Sequence, residues 1–179
     1  MVEVKESRRI YSGRVVNLRV DIIEDDVVKV REVVEHPGAV AVLPIIKDNT
    51  VILIRQYRYP LDKWIIEIPA GTLKENESPE ECALRELEEE TGYRARILEK
   101  ILTMTPSPGY STEYIHLYLA SGLVKMSQRL EEDEEIILVE MDVDEAIREL
   151  VRGGEVDGKT FLALLYYKYL YLGRARSVK

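Results

Sequence analysis

Residues 71–92, GTLKENESPEECALRELEEETG, are the most informative segment of this sequence. Ser78 is a favourable N-cap, Pro79 suits the first helical position, and Glu81 can complete a capping box with Ser78. Gly92 closes the run where a left-handed C-terminal cap is expected. These signals predict an α-helix that begins at Pro79 and ends at the residue before Gly92.

The predicted helix has an acidic side and an apolar side. At about 100° per residue, three carboxylates fall within one arc: Glu86, Glu89 and Glu90. Beside them lie three residues that we expect to face the core: Ala83, Leu84 and Leu87. Two further acidic residues, Glu81 and Glu88, are expected to point towards solvent.

The crowding of carboxylates on one side of the helix needs a physical reason. Like charges spaced three or four residues apart destabilise a helix. A hard divalent cation such as Mg²⁺, which prefers oxygen ligands, would reverse that effect. The acidic side therefore favours a divalent-metal site, and a solvated acidic surface is the alternative.

The same segment resembles the Nudix box, G-x5-E-x7-R-E-U-x-E-E-x-G-U, in which U is a bulky aliphatic residue. Eight positions of that motif are filled in order: Gly71, Glu77, Arg85, Glu86, Leu87, Glu89, Glu90 and Gly92. The last position departs from the motif, because Tyr93 stands there, although tyrosine also supplies a large apolar body. The resemblance implies a hydrolase that cleaves a nucleoside diphosphate linked to another group, using Mg²⁺ or Mn²⁺.

Segments outside the box resemble the ADP-ribose pyrophosphatase branch of this family. They are EHPGAVAVLP (35–44), IRQYRYP (54–60), EIPAG (67–71), SPGYSTE (107–113), EEDEE (131–135) and GKT (158–160). Pro108 lies past the box, where that branch usually carries proline. The resemblance implies hydrolysis of ADP-ribose to AMP and ribose 5-phosphate.

The resemblance also implies which residues hold the metal. Glu86 and Glu90 would be the principal ligands, and Glu89 would be shared between metal binding and catalysis, or would bridge through water. The carbonyl of Ala70, just before the box glycine, would be a further ligand.

Catalysis needs a base as well, and the box glutamates would be occupied with metal. The acidic loop supplies two candidates, Glu132 and Glu134, one as the base and the other touching metal, and Glu134 is also assigned to the metal set. Arg85 would orient the glutamates by pairing with a carboxylate such as Glu77. A purely architectural role is the alternative for Arg85 and Glu77, and a solvated acidic run is the alternative for the loop.

Candidate substrate contacts are spread over several segments: Arg55, Arg58, Glu67, Ser107, Pro108, Gly109 and Glu113. Arg55 and Arg58 would hold a phosphate or the terminal ribose through charge-assisted hydrogen bonds. Glu67 would accept hydrogen bonds from ribose or adenine, and Glu113 would contact the distal ribose. Ordinary ion pairing at strand edges is the alternative, and the residue that stacks on adenine stays open.

Composition limits the other function classes. Lys and Arg number 25 against 33 Asp and Glu, so the formal net charge is −8 and no general nucleic-acid binding is expected. The single cysteine, Cys82, excludes an intrachain disulfide and is expected to be a buried small hydrophobe. We find no signal peptide and no apolar run long enough to span a bilayer, which predicts a cytoplasmic protein with no membrane partner.

The chain of 179 residues suggests one main domain with a small appendage. Residues 1–38 are predicted to form antiparallel strands, and residues 39–179 the Nudix domain, an α/β/α sandwich with a mixed sheet. The resemblance implies that the N-terminal strands contact a second subunit, so a homodimer is expected. A last helix is expected over residues 159–172, with four side chains near one face: Phe161, Leu164, Leu165 and Tyr169.

Two alternatives to ADP-ribose hydrolysis remain at this point. One is a Nudix hydrolase for another nucleoside diphosphate derivative, such as a nucleotide sugar or a dinucleotide. The other is a non-catalytic nucleotide-sensing domain, which would not need every metal carboxylate of the box. This chain retains all of them, which favours an enzyme.

Overall fold

The computed structural model describes residues 3–47, 49–130 and 134–172. The chain forms two compact units, one of Met1–Gly38 with Met104–Ile115, and one of Ala39–Thr103 with His116–Lys179. The first unit therefore takes in a segment beyond the N-terminal 38 residues. The separate roles expected for the two parts of the chain stay predictions.

The first unit contains a three-stranded antiparallel sheet, in the order β1 (Glu3–Ser12), β2 (Asn17–Glu24) and β3 (Val28–Glu35). The segment from the second half of the chain joins the end of β3, where the Val34 N–H donates to the Tyr110 carbonyl at 2.8 Å. All ten residues of β1 are exposed.

Within the described residues, the second unit contains nine strands: β4 (Ala39–Lys47), β5 (Thr50–Arg58), β6 (Lys63–Glu67), β7 (Ala70–Thr72), β8 (Tyr93–Arg94), β9 (Ile97–Met104), β10 (Ile115–Ser121), β11 (Val124–Lys125) and β12 (Ile136–Asp142). The main sheet is mixed and has the order β12-β5-β4-β10-β9, with β6 paired to β5 and β7 paired to β4. β8 and β11 pair separately.

The central strands β4 and β5 carry the core. Residues 40–43 and 51–54 are all fully buried. Such continuous apolar runs are typical of strands that are covered on both faces. The fold is the predicted α/β/α sandwich, with the small antiparallel sheet of the first unit in addition.

Three helices lie within the described residues, and the first of them begins at Pro79, as its capping signals predicted. They are α1 (Pro79–Thr91), α2 (Val143–Gly153) and α3 (Gly158–Leu165), and α3 continues as a π-helical segment over Tyr166–Tyr171. Both bonds of the Ser78–Glu81 capping box are present, and Gly92 adopts the left-handed conformation at φ 68°. No helix within the described ranges has both the length and the hydropathy to cross a membrane.

Helix α1 packs on the sheet through some, but not all, of the side chains that were predicted to face the core. Ala83 and Leu87 are fully buried, as expected, and so is Cys82. The expectation for Leu84 was wrong, because 40% of this residue is exposed. Cys82 faces the core instead. The buried face of the helix, formed by Cys82, Ala83 and Leu87, contacts Val40 and Val42 of β4.

The end of α3 differs from the expected face. Tyr169 was expected beside Leu164 and Leu165, but it is 63% exposed, whereas Tyr167 is only 3% exposed. The cause is the π-helical segment, whose i→i+5 hydrogen bonds widen the helix and turn the later side chains to new directions.

Candidate active site

The acidic side of α1 lies largely out of water. Glu86 is 9% exposed and Glu90 only 2% exposed. Burial is the main reason that the pKa of Glu86 is raised, and it raises the pKa of Glu90 well above its usual range. The charge of Glu134 acts in the same direction on both groups, so the structure brings Glu134 of the acidic loop near the box glutamates.

The loop before α1 shapes the space beside these carboxylates. The Ala70 N–H donates to Glu90 Oε2 at 2.9 Å. A Cβ at Gly71 would lie 2.0 Å from the Glu86 carboxyl carbon, so only glycine lets that carboxylate lie against the backbone. The Ala70 backbone therefore contacts the Glu90 carboxylate, and the metal-binding role expected for the Ala70 carbonyl stays a prediction.

Arg85 links three carboxylates of the box. Its Nε donates to Glu77 Oε1 at 2.7 Å, and its Nη1 donates to Glu86 Oε1 at 2.5 Å and to Glu89 Oε2 at 3.0 Å. The hydrogen bond from Arg85 is the main reason that the pKa of Glu77 is lowered to about 2. The expected pairing of Arg85 with Glu77 is therefore present, and the same guanidinium holds two of the predicted metal ligands.

The donor chemistry fits a hard divalent cation. Among the described residues, no three acidic, histidine or cysteine side chains are grouped closely enough to form a ligand set by themselves. Ions such as Mg²⁺ commonly need only one or two carboxylates, with waters and substrate oxygens completing the shell. The buried Glu86 and Glu90 meet that requirement. Arg85 and the Ala70 N–H compensate only part of their negative charge.

Arg58 and Glu67 form a second buried ionic group on neighbouring strands. Arg58 donates from Nε and Nη2 to the two Glu67 oxygens at 2.5 and 3.0 Å, and the Lys159 ammonium also contacts Glu67. Burial alone raises the pKa of Glu67, but the bonds to Arg58 and the charge of Lys159 outweigh burial and lower it. Both Glu67 oxygens are engaged with cations, as the ion-pair alternative expects.

The structure does not bring Arg55 to this group. Side chains alternate between the two faces of a strand, so Arg58 and Arg55, three residues apart on β5, lie on opposite faces. The Arg55 guanidinium lies 5.8 Å from the Trp64 ring centroid, and Trp64 also contacts Tyr57, with ring centroids 6.0 Å apart.

The predicted contacts after residue 106 belong to the first unit: Ser107, Pro108, Gly109 and Glu113. The Ser107 carbonyl accepts from the Ser111 N–H at 3.0 Å, which closes a turn around the proline and glycine. Glu113 Oε1 lies 3.8 Å from His36 Nδ1. The substrate contacts of these residues stay predictions, and Glu132 lies outside the described residues.

Two polar features were missed as site residues. The Asp157 Oδ1 accepts from the Lys159 ammonium at 2.9 Å, so Lys159 joins Asp157 and Glu67 in one network. The only sequence signal was the GKT motif, which gave no partner for the lysine. Gln56 is 7% exposed, and its Oε1 has no donor in the part of the chain that the structure describes.

Glu88 corrects a further expectation. It was expected to point to solvent, but only 14% of its side chain is exposed. Its carboxylate lies 2.8 Å from Arg94 Nη2 and 2.7 Å from Arg129 Nη2. The reason is that β8 and the segment after β11 return beside the end of α1 and bring two cations there.

Comparison with known proteins agrees with this fold and site. The profile of the NUDIX domain matches residues 35–165. A methanol dehydrogenase activator from Bacillus methanolicus is 46% identical over 165 residues, which cover 90% of this chain and 89% of that protein. An ADP-ribose pyrophosphatase from Bacillus subtilis (strain 168) is 44% identical over 163 residues, 88% of each chain.

A solved structure supports the same fold. An ADP compounds hydrolase shares it with a TM-score of 0.81 and 23% identity, covering 98% of this chain and 96% of that chain. The fold, the filled box and the profile match define an α/β hydrolase with a carboxylate-rich helix. The chain belongs to the Nudix family. Nudix hydrolases generally use a divalent metal ion.

Proposed function

We propose that this protein hydrolyses the pyrophosphate bond of ADP-ribose, with Mg²⁺ as its metal ion, to give AMP and ribose 5-phosphate. The observation that carries the proposal is the pair of buried carboxylates, Glu86 and Glu90, held beside Gly71 and Arg85. The choice of ADP-ribose is supported by the 44% identity to an ADP-ribose pyrophosphatase across 88% of each chain.

The box residues have distinct roles in this proposal. Glu86 and Glu90 hold the metal, and Glu89 and the Ala70 carbonyl complete its surroundings. Bound Mg²⁺ would neutralise the pyrophosphate oxygens and make a water molecule more acidic. Arg85 keeps the glutamates in place, since its guanidinium bonds both Glu86 and Glu89.

The proton of the attacking water needs an acceptor outside the box. Glu134 is the candidate among the described residues, because its charge acts on both Glu86 and Glu90. Glu132 is the second candidate of the acidic loop. Replacing each residue by glutamine separately decides between them. Only loss of the base would remove the part of the pH–rate profile in which the rate increases with pH.

Arg58 is proposed to hold a substrate phosphate or the terminal ribose. Glu67 fixes its Nε and Nη2, and the charge of Glu90 acts on Arg58, which places the guanidinium near the carboxylates. The other proposed contacts are Arg55, Glu67, Ser107, Pro108, Gly109 and Glu113. For Glu67 the proposal now rests on orienting Arg58, since both its oxygens are engaged.

The first unit supports the proposal of a homodimer. Its sheet leaves large apolar side chains exposed on β1 and β3, including Ile10 at 58%, Val28 at 65% and Val30 at 60%. Exposed apolar patches of this kind mark interaction sites. Light scattering should give twice the chain mass across a dilution series, and a monomer at every concentration would contradict the dimer. A cytoplasmic location also stays a prediction.

Hydrolysis is tested with a panel of ADP-ribose, a nucleotide sugar, a flavin or nicotinamide dinucleotide and a dinucleoside polyphosphate, each with Mg²⁺. Products that carry terminal phosphate are detected after treatment with a phosphatase. We expect the highest kcat/KM for ADP-ribose. Equal turnover of every substrate, or none of ADP-ribose, would contradict the proposal.

The relative from Bacillus methanolicus is named for an effect on another enzyme. That name states no reaction, and this chain retains every carboxylate of the Nudix box. Hydrolysis therefore remains the preferred function. A non-catalytic nucleotide-sensing domain would show binding of ADP-ribose without release of AMP in the same panel.

A further inference from the structure

The C-terminal end of α1 is held by residues 126–129, which we call the tether segment. The last carbonyls of a helix lack partners within the helix. Two such carbonyls accept hydrogen bonds from the tether segment: Glu89 from the Arg129 N–H at 2.9 Å and Glu90 from Gln128 Nε2 at 2.6 Å. The carbonyl of the cap residue Gly92 accepts from the Met126 N–H at 2.7 Å. The tether segment therefore adds three hydrogen bonds to the C-terminal end of the helix.

An ion pair strengthens the same connection. Arg129 Nη2 lies 2.7 Å from Glu88 Oε1. The last turn of α1 contains no basic residue of its own, although a cation at that end is favourable to the helix dipole. Arg129 supplies that charge from outside the helix. Position 88 is a variable position of the Nudix box, so the family motif does not imply this contact.

Gly92 leaves the room that the tether segment occupies. A Cβ at Gly92, where φ is +68°, would lie 2.8 Å from the Gln128 backbone nitrogen. Backbone atoms cannot move aside as the end of a flexible side chain can. The helix end and the tether segment are therefore in direct backbone contact.

The chain is anchored on both sides of Glu134 in sequence, by the tether segment and by Ile136. Ile136 begins β12 and pairs with Gln56 of β5. Glu134 lies between these two anchors, and its charge acts on Glu86 and Glu90. A shift of the tether segment would therefore change the position of Glu134 relative to Glu86 and Glu90.

We propose that Gln128 and Arg129 are positioning residues, which keep Glu134 near Glu86 and Glu90 on the carboxylate side of α1. This inference rests on the proposed hydrolytic function. Neither residue needs to touch the substrate. A displacement of about 1 Å in a reacting group can lower a rate about a hundredfold, so loss of the tether lowers kcat while KM changes little.

The test compares variants with a matched control. Arg129→Met and Gln128→Leu remove the ion pair and the side-chain hydrogen bond, and together they should lower kcat about tenfold or more. Arg129→Lys keeps a charge for Glu88 and should retain most of the activity. The control is Arg94→Met, since Arg94 binds the same Glu88 and is 60% exposed against 66% for Arg129, but lies on β8.

A second measurement needs neither substrate nor metal. Hydrogen exchange of the metal-free protein should become faster in the tether segment of the double variant, while residues 79–87 of α1 stay protected. The unfolding midpoint should change little, because exposed ion pairs contribute little to stability. Faster exchange supports the tether whatever substrate the enzyme cleaves.

The outcomes separate the two proposals. Inactive wild-type protein would overturn ADP-ribose hydrolysis, and the exchange comparison would still decide the role of the tether. Wild-type kcat and exchange in the double variant would overturn the positioning role. An equal loss of kcat in Arg94→Met would overturn it too, because the effect would then come from Glu88 alone.

Discussion

Two glutamates in the second unit are equally removed from water and yet differ in their charge behaviour. Glu90 is 2% exposed and Glu67 is 1% exposed. Burial raises the pKa of Glu90 well above its usual range. At Glu67 burial acts in the same direction, but the bonds to Arg58 and the charge of Lys159 lower the pKa below its usual value. Neighbouring cations therefore decide the direction in which the pKa of a buried carboxylate shifts.

The opposite pKa shifts of Glu67 and Glu90 indicate different roles for these two carboxylates. Glu67 has its cations built into the fold, so it can fix the direction of the Arg58 side chain. Glu90 accepts a hydrogen bond from the Ala70 N–H and lies beside the like charges of Glu86 and Glu134. A carboxylate in that setting gains most from a mobile cation, which is the role that we propose for it.

The largest effect is expected from Glu90→Gln, which removes the charge and nearly keeps the shape. We expect kcat for ADP-ribose to fall about a thousandfold at saturating Mg²⁺, because stabilisation of charge at the reacting phosphate is lost. The matched control is Glu75→Gln, an exposed position in the same box. Wild-type rates in Glu90→Gln would contradict the assigned metal role.

Lys159→Met tests the other side of the comparison. Removing one partner of a buried ion pair should destabilise the protein by about 3 kcal/mol in urea unfolding. The control is Lys63→Met, because the pair of Lys63 with Glu155 is exposed and should contribute less than about 1 kcal/mol. A similar loss of unfolding free energy in both variants would show that the buried Glu67 network stabilises the protein no more than an exposed ion pair.

Gly71→Ala asks whether the Glu86 carboxylate must lie against the backbone. The added Cβ would meet the Glu86 carboxyl carbon at 2.0 Å, so the side chain has to move. We expect kcat to fall about a hundredfold, because a metal ligand is displaced. Gly153→Ala is the control, since its Cβ would meet nothing within 4 Å, and an equal effect there would contradict this account.

The smallest effect concerns the pH dependence of stability. The pKa of Glu77 is lowered from 4.5 to about 2, so this group stabilises the folded state above pH 4.5 and loses that contribution as the pH falls towards 2. The difference in unfolding free energy between wild type and Glu77→Gln should shrink over this window. A difference that stays constant from pH 5 to pH 2 would contradict the pairing with Arg85.

Raised and lowered pKa values should give opposite signs in the same experiment. In metal-free protein, the raised pKa of Glu90 means that wild type gains stability relative to Glu90→Gln as the pH falls from neutrality towards 4.5. Added Mg²⁺ should reduce that gain, because the metal binds the ionised carboxylate.

Expectations from the sequence failed at particular kinds of residue. From helical periodicity, Leu84 was expected in the core and Tyr169 on the same face as Leu164 and Leu165. Instead Cys82 is buried while Leu84 is exposed, and the π-helical segment buries Tyr167 and exposes Tyr169. Glu88 was expected in solvent, although two arginines from other segments surround it. Helical periodicity within one segment gives no information on contacts with other segments of the chain. It also assumes regular α-helical geometry.

Helix α1, its caps and the spacing of Arg85 and the box glutamates could be predicted from local sequence, because capping and helical periodicity depend on residues within a few positions of one another. The tertiary structure decided which carboxylates receive fixed cations. Lys159 reaches Glu67 from 92 positions away, and Arg129 reaches Glu88 from 41 positions away. Charge neutralisation acts through space, so it depends on how the whole chain packs.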